Sequence, residues 1–349
     1  MIKIFVYQLL FFHFFYLIFR KIKFFNKFLD DDFKKKQSFH TEPTPRYGGI
    51  LIFLSFAISL YLTREISTLY SVVLFFVLTN VVLGTLDDIR LIFNPISKFC
   101  IFLILNISLI FFFDLKIKQF DVFFLDYLNN NIYFSVIITF ISIFFVINGS
   151  NLIDGFNGLL GIHSFLIVVV LTSVTYDQLD PDILLINYAF MLSVCIFLFY
   201  NIPKAKIFLG DGGSFFIGCF ISTIIIAIYN LSENISPFFF AILIYYLFFE
   251  IFFSVFRKIA QKKNPFYPDR KHLHMLLYQY LKLSNINFNN YNFLTSLIIN
   301  FFYLITVIPT FLFFDNNLIC QIYFFILISI YLFIYFYLTN YIKKNAKSD

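Results

Sequence analysis

The sequence predicts an all-α, polytopic integral membrane protein of about ten to eleven transmembrane helices. Three observations carry that prediction: a composition too apolar for water, apolar runs of spanning length, and basic residues gathered on alternate connections. Hydrophobic residues make up 60% of the 349 and charged residues 13%, with a mean hydropathy of +0.84. A soluble domain carries roughly 25% charged residues, so lipid must solvate most of this surface. The 57 phenylalanines and the absence of tryptophan fit an A/T-rich coding bias better than a functional choice.

About eleven runs can cross, or nearly cross, a hydrocarbon core of ~30 Å. In chain order they fall near 2–19, 47–63, 68–84, 98–113, 132–147, 162–176, 183–200, 214–230, 237–253, 292–313 and 317–339. In lipid each must be a helix, because a lone strand would leave its backbone groups unpaired. The first run has Lys3 before it, basic residues after it and no small-residue cleavage site. It therefore reads as an uncleaved span rather than a signal peptide. Pro309 is the only proline inside a run, and no inverted pair of broken helices of the transporter kind is visible. The whole chain, 1–349, reads as one membrane domain with a basic loop at about 254–290.

Orientation follows from the lysines and arginines. With 20–46 placed inside, only Lys3, Arg64, Lys116 and Lys118 of the 26 fall outside. That asymmetry predicts an outside N-terminus and a cytoplasmic C-terminus. The basic stretches at 20–46 and 254–290 suit contact with anionic lipid. Cys100, Cys195, Cys219 and Cys320 are isolated, with no metal or disulfide spacing.

All eleven glycines lie at Gly48–Gly49, Gly84, Gly149 to Gly161, Gly210 to Gly213, and Gly218. A background that avoids glycine keeps it where φ is positive or two backbones approach closely. Each cluster adjoins polar residues at the end of an apolar run, and all fall at or next to the predicted cytoplasmic side.

Four segments carry chemistry. Leu83 to Asp88 (LGTLDD) ends a run with adjacent carboxylates, either a general base or metal-linked pair, or simply a hydrated helix end. Asn148 to Leu159 (NGSNLIDGFNGL) is too long and too rich in amides for a plain turn; it suits a metal ion and the hydrogen-bonding edge of a base or sugar. Phe208 to Ser214 (FLGDGGS) could hold a cation at Asp211 with backbone N–H groups facing an anion, or could be ordinary helix capping by Ser214 or Asp211. Pro268 to His274 (PDRKHLH) sets two histidines at i, i+2, on one face only if extended. With Arg270 and Lys271 they form a cationic cluster for phosphate oxygens, or else a solvated basic loop. Carboxylates, amides and cations converging on one membrane face describe phosphoryl transfer between a nucleotide compound and a lipid phosphate.

These strings, with HTEPTPRYGGI from residue 40, occur between about 40 and 275 in the order found in the polyprenyl-phosphate N-acetylhexosamine-1-phosphate transferases of glycosyltransferase family 4, which the sequence resembles. The resemblance implies a helical membrane bundle with a cytoplasmic-face active site in the bacterial inner membrane. It implies transfer of a sugar-1-phosphate from a UDP-activated amino sugar to undecaprenyl or another polyprenyl phosphate, with release of UMP, at the start of surface-glycan synthesis. It would make Asp211 the main Mg²⁺ ligand, Mn²⁺ substituting, with Asn151 second. Asp87 would act as base toward the lipid phosphate, with Asp88 supporting. Phe208 would stack on uracil, Asn157 would read its edge, and Asn148 and Asp154 would complete the donor site. Lys98, Arg270, His272 and His274 would bind phosphates or sugar. Membrane lipids and a homodimer are expected partners; nucleic acid is not.

Two departures stand out. Asn157 replaces the second acid of the family's DG-x-DGL string, which an amide can do for uracil but not for a metal. Met275 replaces the last histidine of the loop, which places the chain nearer the N-acetylhexosamine branch than the muramyl-pentapeptide branch. A multispan transporter or lipid-linked sugar flippase is the alternative class; it would need acids and broken helices at mid-membrane. An inactive member of the same family is a third reading.

Overall fold

The computed structural model describes residues 2–30, 43–62, 68–89, 95–232, 234–264, 269–284 and 288–345. His40, Thr41, Glu42 and Pro268 of the quoted motifs, and the basic stretch at 31–42, lie outside them. Every predicted run is helical. In order the helices are α1 (Ile2–Lys21), α2 (Gly48–Leu62), α3 (Thr68–Asp88), α4 (Pro95–Phe112), the short α5 (Phe123–Asn129), α6 (Ile132–Ile153), α7 (Leu159–Thr175), α8 (Pro181–Asn201) and α9 (Gly210–Leu231). Then come α10 (Pro237–Leu243), α11 (Tyr245–Ala260), α12 (Leu273–Leu283), α13 (Tyr291–Val307) and α14 (Asn317–Asn345). Eight are long and apolar enough to span among the described residues, nine if the bent pair α10–α11 counts as one. Adding the shorter apolar helices α2 and α4 recovers the predicted eleven.

Helix α9 is the axis of the bundle, with 83% of its apolar window buried against 22% for α1 and α14 at the periphery. It packs most extensively on α3 and α6, and glycine makes that closeness possible. A Cβ on Gly218 would stand 2.6 Å from Ile147 Cα. One on Gly213 would stand 2.8 Å from Gly49 Cα. Lipid offers no hydrophobic force between helices, so such backbone contact and polar ties must hold them. One tie lies deep in the bundle: Asn80 on α3 donates to Asn106 on α4 (3.1 Å) and to Cys219 on α9 (3.3 Å). Phenylalanines fill the remainder, with Phe190 and Phe220 stacked at 3.9 Å and 2°. The four cysteines are free.

Two corrections to the hydropathy reading concern the C-terminal third. The run 237–253 is not one straight span; α10 and α11 meet at 76° around Ile244. There Tyr303 Oη donates to the Leu243 carbonyl at 2.9 Å, taking that acceptor out of helical use. Beyond the break α11 turns Glu250, Ser254, Arg257 and Lys258 into the protein, all buried. Nor is 254–290 simply a loop. Helix α11 continues through Ala260, and α12 packs on α13 and α14.

Candidate active site

At the N-terminus of α9 three of the glycine clusters meet: Gly48–Gly49, Gly84 and Gly210 to Gly213. Two short strands, β1 (Leu29–Asp30) and β2 (Thr44–Pro45), pair antiparallel and lead into α2. The chain after β2 then binds the segment before α9 through backbone alone. Phe208 N–H donates to Pro45 O (2.8 Å), Gly48 N–H to Phe208 O (3.0 Å) and Gly49 N–H to Leu209 O (2.8 Å). Gly210 follows at φ +75°, facing the Arg46 carbonyl and the Asp88 carboxylate; a Cβ there would lie 2.7 Å from Asp88 Oδ2. Glycine is required at that turn on both counts.

Asp88, at the end of α3, accepts from Asp211 N–H (3.0 Å, Oδ1) and Gly212 N–H (2.9 Å, Oδ2). The capping group of α9 is thus neither Ser214 nor Asp211 but a carboxylate from another helix, placed at the positive end of the dipole. Gly84, one turn earlier on α3, permits this: a Cβ there would stand 2.6 Å from Asp211 C and 2.7 Å from Gly212 Cα. Asp88, given a supporting part beside Asp87 by the sequence, is thus tied to the first turn of α9.

With capping done by Asp88, the Asp211 carboxyl points to Asp87, within hydrogen-bonding reach. Asp87 is also ion-paired with Lys98, in the first turns of α4, whose ammonium lies 5.1 Å from the Phe215 ring. Asp154, just past α6, joins the group from the third side. Burial first, and then the charge of Asp211, hold its carboxyl well above the usual carboxylate range. Arg46 answers them in part. Burial would lower its guanidinium, but Asp30, to which it is hydrogen-bonded (Nε to Oδ2, 2.9 Å), and more distantly Asp88 and Asp211, leave it above its ordinary value.

The predicted amides behave differently. Asn148 Nδ2 bonds back to Phe144 O (2.8 Å) on its own helix. Asn151 is half-buried three residues before Asp154 and shares its side of the helix end. Asn157 Nδ2 donates to Pro203 O (3.0 Å), which also accepts from Asn290 Nδ2 (2.8 Å). Its own N–H goes to Asn292 Oδ1 (2.7 Å), and Gly158, at φ +77°, donates to Asn201 Oδ1 (2.6 Å). These asparagines stitch the 154–158 turn to the segment before Phe208. The Phe208 ring is half-buried at that junction.

The histidine segment needs the largest correction. His272 is extended (φ −89°, ψ 151°), as the i, i+2 spacing required, and the His272 and His274 rings lie parallel at 5.7 Å. Neither is solvated. His272 Nδ1 lies 3.1 Å from Glu250 Oε2 and Nε2 lies 3.5 Å from Asp269 Oδ1, while Leu273 N–H donates to Glu250 Oε1 (2.9 Å). Asp269 is itself clamped by Arg257 through two bonds of 2.8 and 3.2 Å. Burial pushes the His274 imidazole down to about 3, so it is neutral and no phosphate cation. Its ring packs edge-on against Phe156 at 5.4 Å, which docks this segment onto the 148–159 loop. Of the predicted cluster, Arg270 and Lys271 are the exposed cations. Sequence reasoning missed Glu250, Arg257 and Asp269 as anchors, and Arg46 despite its place in PTPRYGG.

The sequence has counterparts among known proteins. Residues 70–229 match the profile of glycosyl transferase family 4, and the chain belongs to that family. It is 32% identical over 138 residues to undecaprenyl-phosphate alpha-N-acetylglucosaminyl 1-phosphate transferase of Thermotoga maritima, covering 39% of this chain and 41% of that protein. It is 32% identical over 246 residues to a probable undecaprenyl-phosphate N-acetylglucosaminyl 1-phosphate transferase of Bacillus subtilis, covering 67% and 66%. Phospho-N-acetylmuramoyl-pentapeptide-transferase of Streptococcus pneumoniae is 24% identical over 227 residues, covering 61% and 67%. The chain thus spans 41% and 66% of the first two relatives' lengths.

Proposed function

We propose that the protein transfers a sugar-1-phosphate, of the N-acetylhexosamine class, from a UDP-sugar to a polyprenyl phosphate such as undecaprenyl phosphate. The observation that carries this reading is the convergence of Asp87, Asp88, Asp154 and Asp211 with Lys98 and Arg46 at the N-terminus of α9. A lipid-phosphate oxygen attacks the sugar-bearing phosphorus of the donor, the diphosphate bridge breaks, and UMP leaves with the bridging oxygen. The relatives support this over transport, since those compared are transferases. The acids also cluster at one end of the bundle rather than at mid-membrane.

Asp87 is the candidate base and Lys98 its counter-charge, set to turn to the incoming lipid phosphate. Asp88 holds the first turn of α9 so that Asp211 faces the reacting groups. Phe208 offers the stacking face for uracil. Among the described residues no three His, Cys, Asp or Glu side chains are grouped to bind a metal by themselves. That suits Mg²⁺, which takes one or two carboxylates and fills its remaining positions with water and substrate phosphate. Asp211, with Asp87 or Asn151, offers the hard oxygens it prefers; Mn²⁺ would fit the same donors. Bound there, the ion would neutralise charge on the transferring phosphoryl group.

The distribution of lysine and arginine supports an outside N-terminus and a site at the cytoplasmic face, and the bacterial relatives support a bacterial inner membrane. Purified full-length chain incubated with undecaprenyl phosphate and a panel of UDP-sugars should release UMP with one amino-sugar donor. Folded protein that releases UMP from none of them overturns the proposal.

A further inference from the structure

A second feature lies on the other side of the 44–47 segment from the carboxylates. A cavity of about 600 Å³ opens between the end of α1, the 3-10 turn Lys23–Phe28, β2 and the residues that follow α8. That volume is in the range of sites for small molecules, roughly 300–1,000 Å³. Arg20, Lys204 and Lys206 line it together with the rings of Tyr16, Phe19 and Tyr47, and among the described residues no Asp or Glu lines it. Asp30, next to it in β1, is turned to Arg46. None of the candidate active-site residues lines it.

Its depth is fixed by the helices. Arg20 is in the last turn of the span Ile4–Lys21, and Lys204 and Lys206 come just after the span ending at Asn201. The two span ends are held together by Tyr16 and Tyr200, whose rings are 4.8 Å apart, and Lys206 N–H donates to Tyr200 O at 2.8 Å. The cations therefore sit at the level where lipid phosphates lie. On the outer surface of α1, Leu10, Phe14 and Leu17 are 60%, 56% and 44% exposed. At i, i+4 and i+7 they form one apolar stripe that leads up to Arg20.

We propose that this cavity binds the phosphate headgroup of an anionic membrane lipid, with its acyl chains along the Leu10–Phe14–Leu17 stripe. The cations take the phosphate oxygens, the aromatic wall takes the glycerol carbons, and the volume accommodates more than phosphate alone. An occupant there would brace β2 and Tyr47, the segment whose Pro45 carbonyl also accepts from Phe208 N–H. The inference does not depend on the proposed reaction.

The test uses the full-length chain in neutral detergent, titrated with phosphatidylglycerol, phosphatidylcholine or sodium phosphate while thermal unfolding and lipid retention by native mass spectrometry are followed. Phosphatidylglycerol should raise the unfolding midpoint and remain bound; the other two should do neither. The triple variant Arg20→Gln/Lys204→Gln/Lys206→Gln should weaken phosphatidylglycerol binding by at least about tenfold. Lys343→Gln/Lys344→Gln, at the end of α14, should bind as the native chain does. Equal binding by the triple variant overturns the proposal, as does equal weakening by the α14 variant, which would mean general attraction to basic residues. An equal shift with sodium phosphate overturns the lipid in favour of a soluble phosphate compound. If the triple variant aggregates, a folded Lys206→Glu chain carries the same comparison.

Discussion

Asp88→Asn tests whether the second carboxylate of the pair is a reacting group or the clamp on α9. The native carboxylate accepts two N–H bonds, at 3.0 and 2.9 Å, from Asp211 and Gly212. Asparagine keeps one acceptor oxygen and turns an NH₂ group toward the other N–H. One bond to a charged acceptor is lost, worth about 1.5–3 kcal/mol. If the surplus goes into misplacing Asp211, the aligned site becomes roughly 10- to 150-fold rarer. Asp87→Asn differs, because the Asp87–Lys98 pair is about 30% exposed on both sides and such pairs contribute about 1 kcal/mol or less. UMP release and thermal unfolding of the purified chain separate the two. Asp88→Asn should lower both turnover and the unfolding midpoint, whereas Asp87→Asn should lower turnover with the midpoint nearly unchanged. A native midpoint for Asp88→Asn with turnover abolished would refute the clamp and put Asp88 among the reacting groups.

Gly84→Ala should destabilise the chain and abolish turnover, because the new methyl meets the backbone of Asp211 and Gly212, whereas Gly155→Ala meets nothing within 4 Å and should leave the unfolding midpoint native. Phe208→Ala should weaken UDP-sugar binding by about 1–3 kcal/mol in equilibrium titration. Asn157→Asp should harm turnover as much as Asn157→Ala, since either removes the donor to Pro203; tolerance of Asp would return this position to the uracil edge. A chelator in excess should remove turnover and added Mg²⁺ restore it, while Asp211→Asn should show no such restoration. Acid should loosen the 269–283 segment. His274 titrates at about 3 in the fold against 6.5 ordinarily, so the unfolded chain takes the proton first and the stabilisation, complete above about pH 6.5, is lost as pH falls toward 3. Burial would raise Asp269, but Arg257 outweighs it and holds the carboxyl at about 2, so its contribution is lost only below about 3.8. Hydrogen exchange of 269–283, corrected for intrinsic rates, should therefore lose protection between pH 7 and pH 5, and His274→Asn should flatten that change.

The spans were legible because hydropathy reports burial in lipid directly, and each run is helical over most of its length. The break at Ile244 was not, because it depends on a hydroxyl from α13, about sixty residues away in sequence. Several glycines do stand where backbones touch, as Gly49 and Gly84 do against the first turn of α9, whereas Gly155 meets nothing within 4 Å. What each polar residue does was less legible. A string such as PDRKHLH shows two histidines and their spacing, but not that Glu250 waits on another helix to accept from one of them. Asn157 likewise presents an amide whose partner, Pro203 O, carries no side-chain signal at all. The pairing of Arg46 with Asp30 had no local signal either, since the two are brought together by β1 and β2.

The charge balance of the site gives the metal proposal its physical footing. Four carboxyls, Asp87, Asp88, Asp154 and Asp211, face two cations, Arg46 and Lys98, and Arg46 is shared with Asp30. The Asp88 charge is met by the N-terminus of α9, which leaves Asp211 and Asp154 without a full partner of their own. Two like charges 4 Å apart repel by about 4 kcal/mol at an effective dielectric constant of 20. The proposed substrates add a diphosphate and a lipid phosphate to that already negative place. Lys98 can leave Asp87 to meet one of them, but then Asp87 too lacks its cation. Each arrangement of the protein's own charges leaves at least one carboxylate and one phosphate unmatched. A divalent ion held by Asp211 would supply the missing positive charge, and for that reason replacing Asp211 should cost more turnover than replacing Lys98. Turnover lost equally from Asp211→Asn and Lys98→Gln, with Mg²⁺ saturating, would argue that the basic residues alone carry the charge.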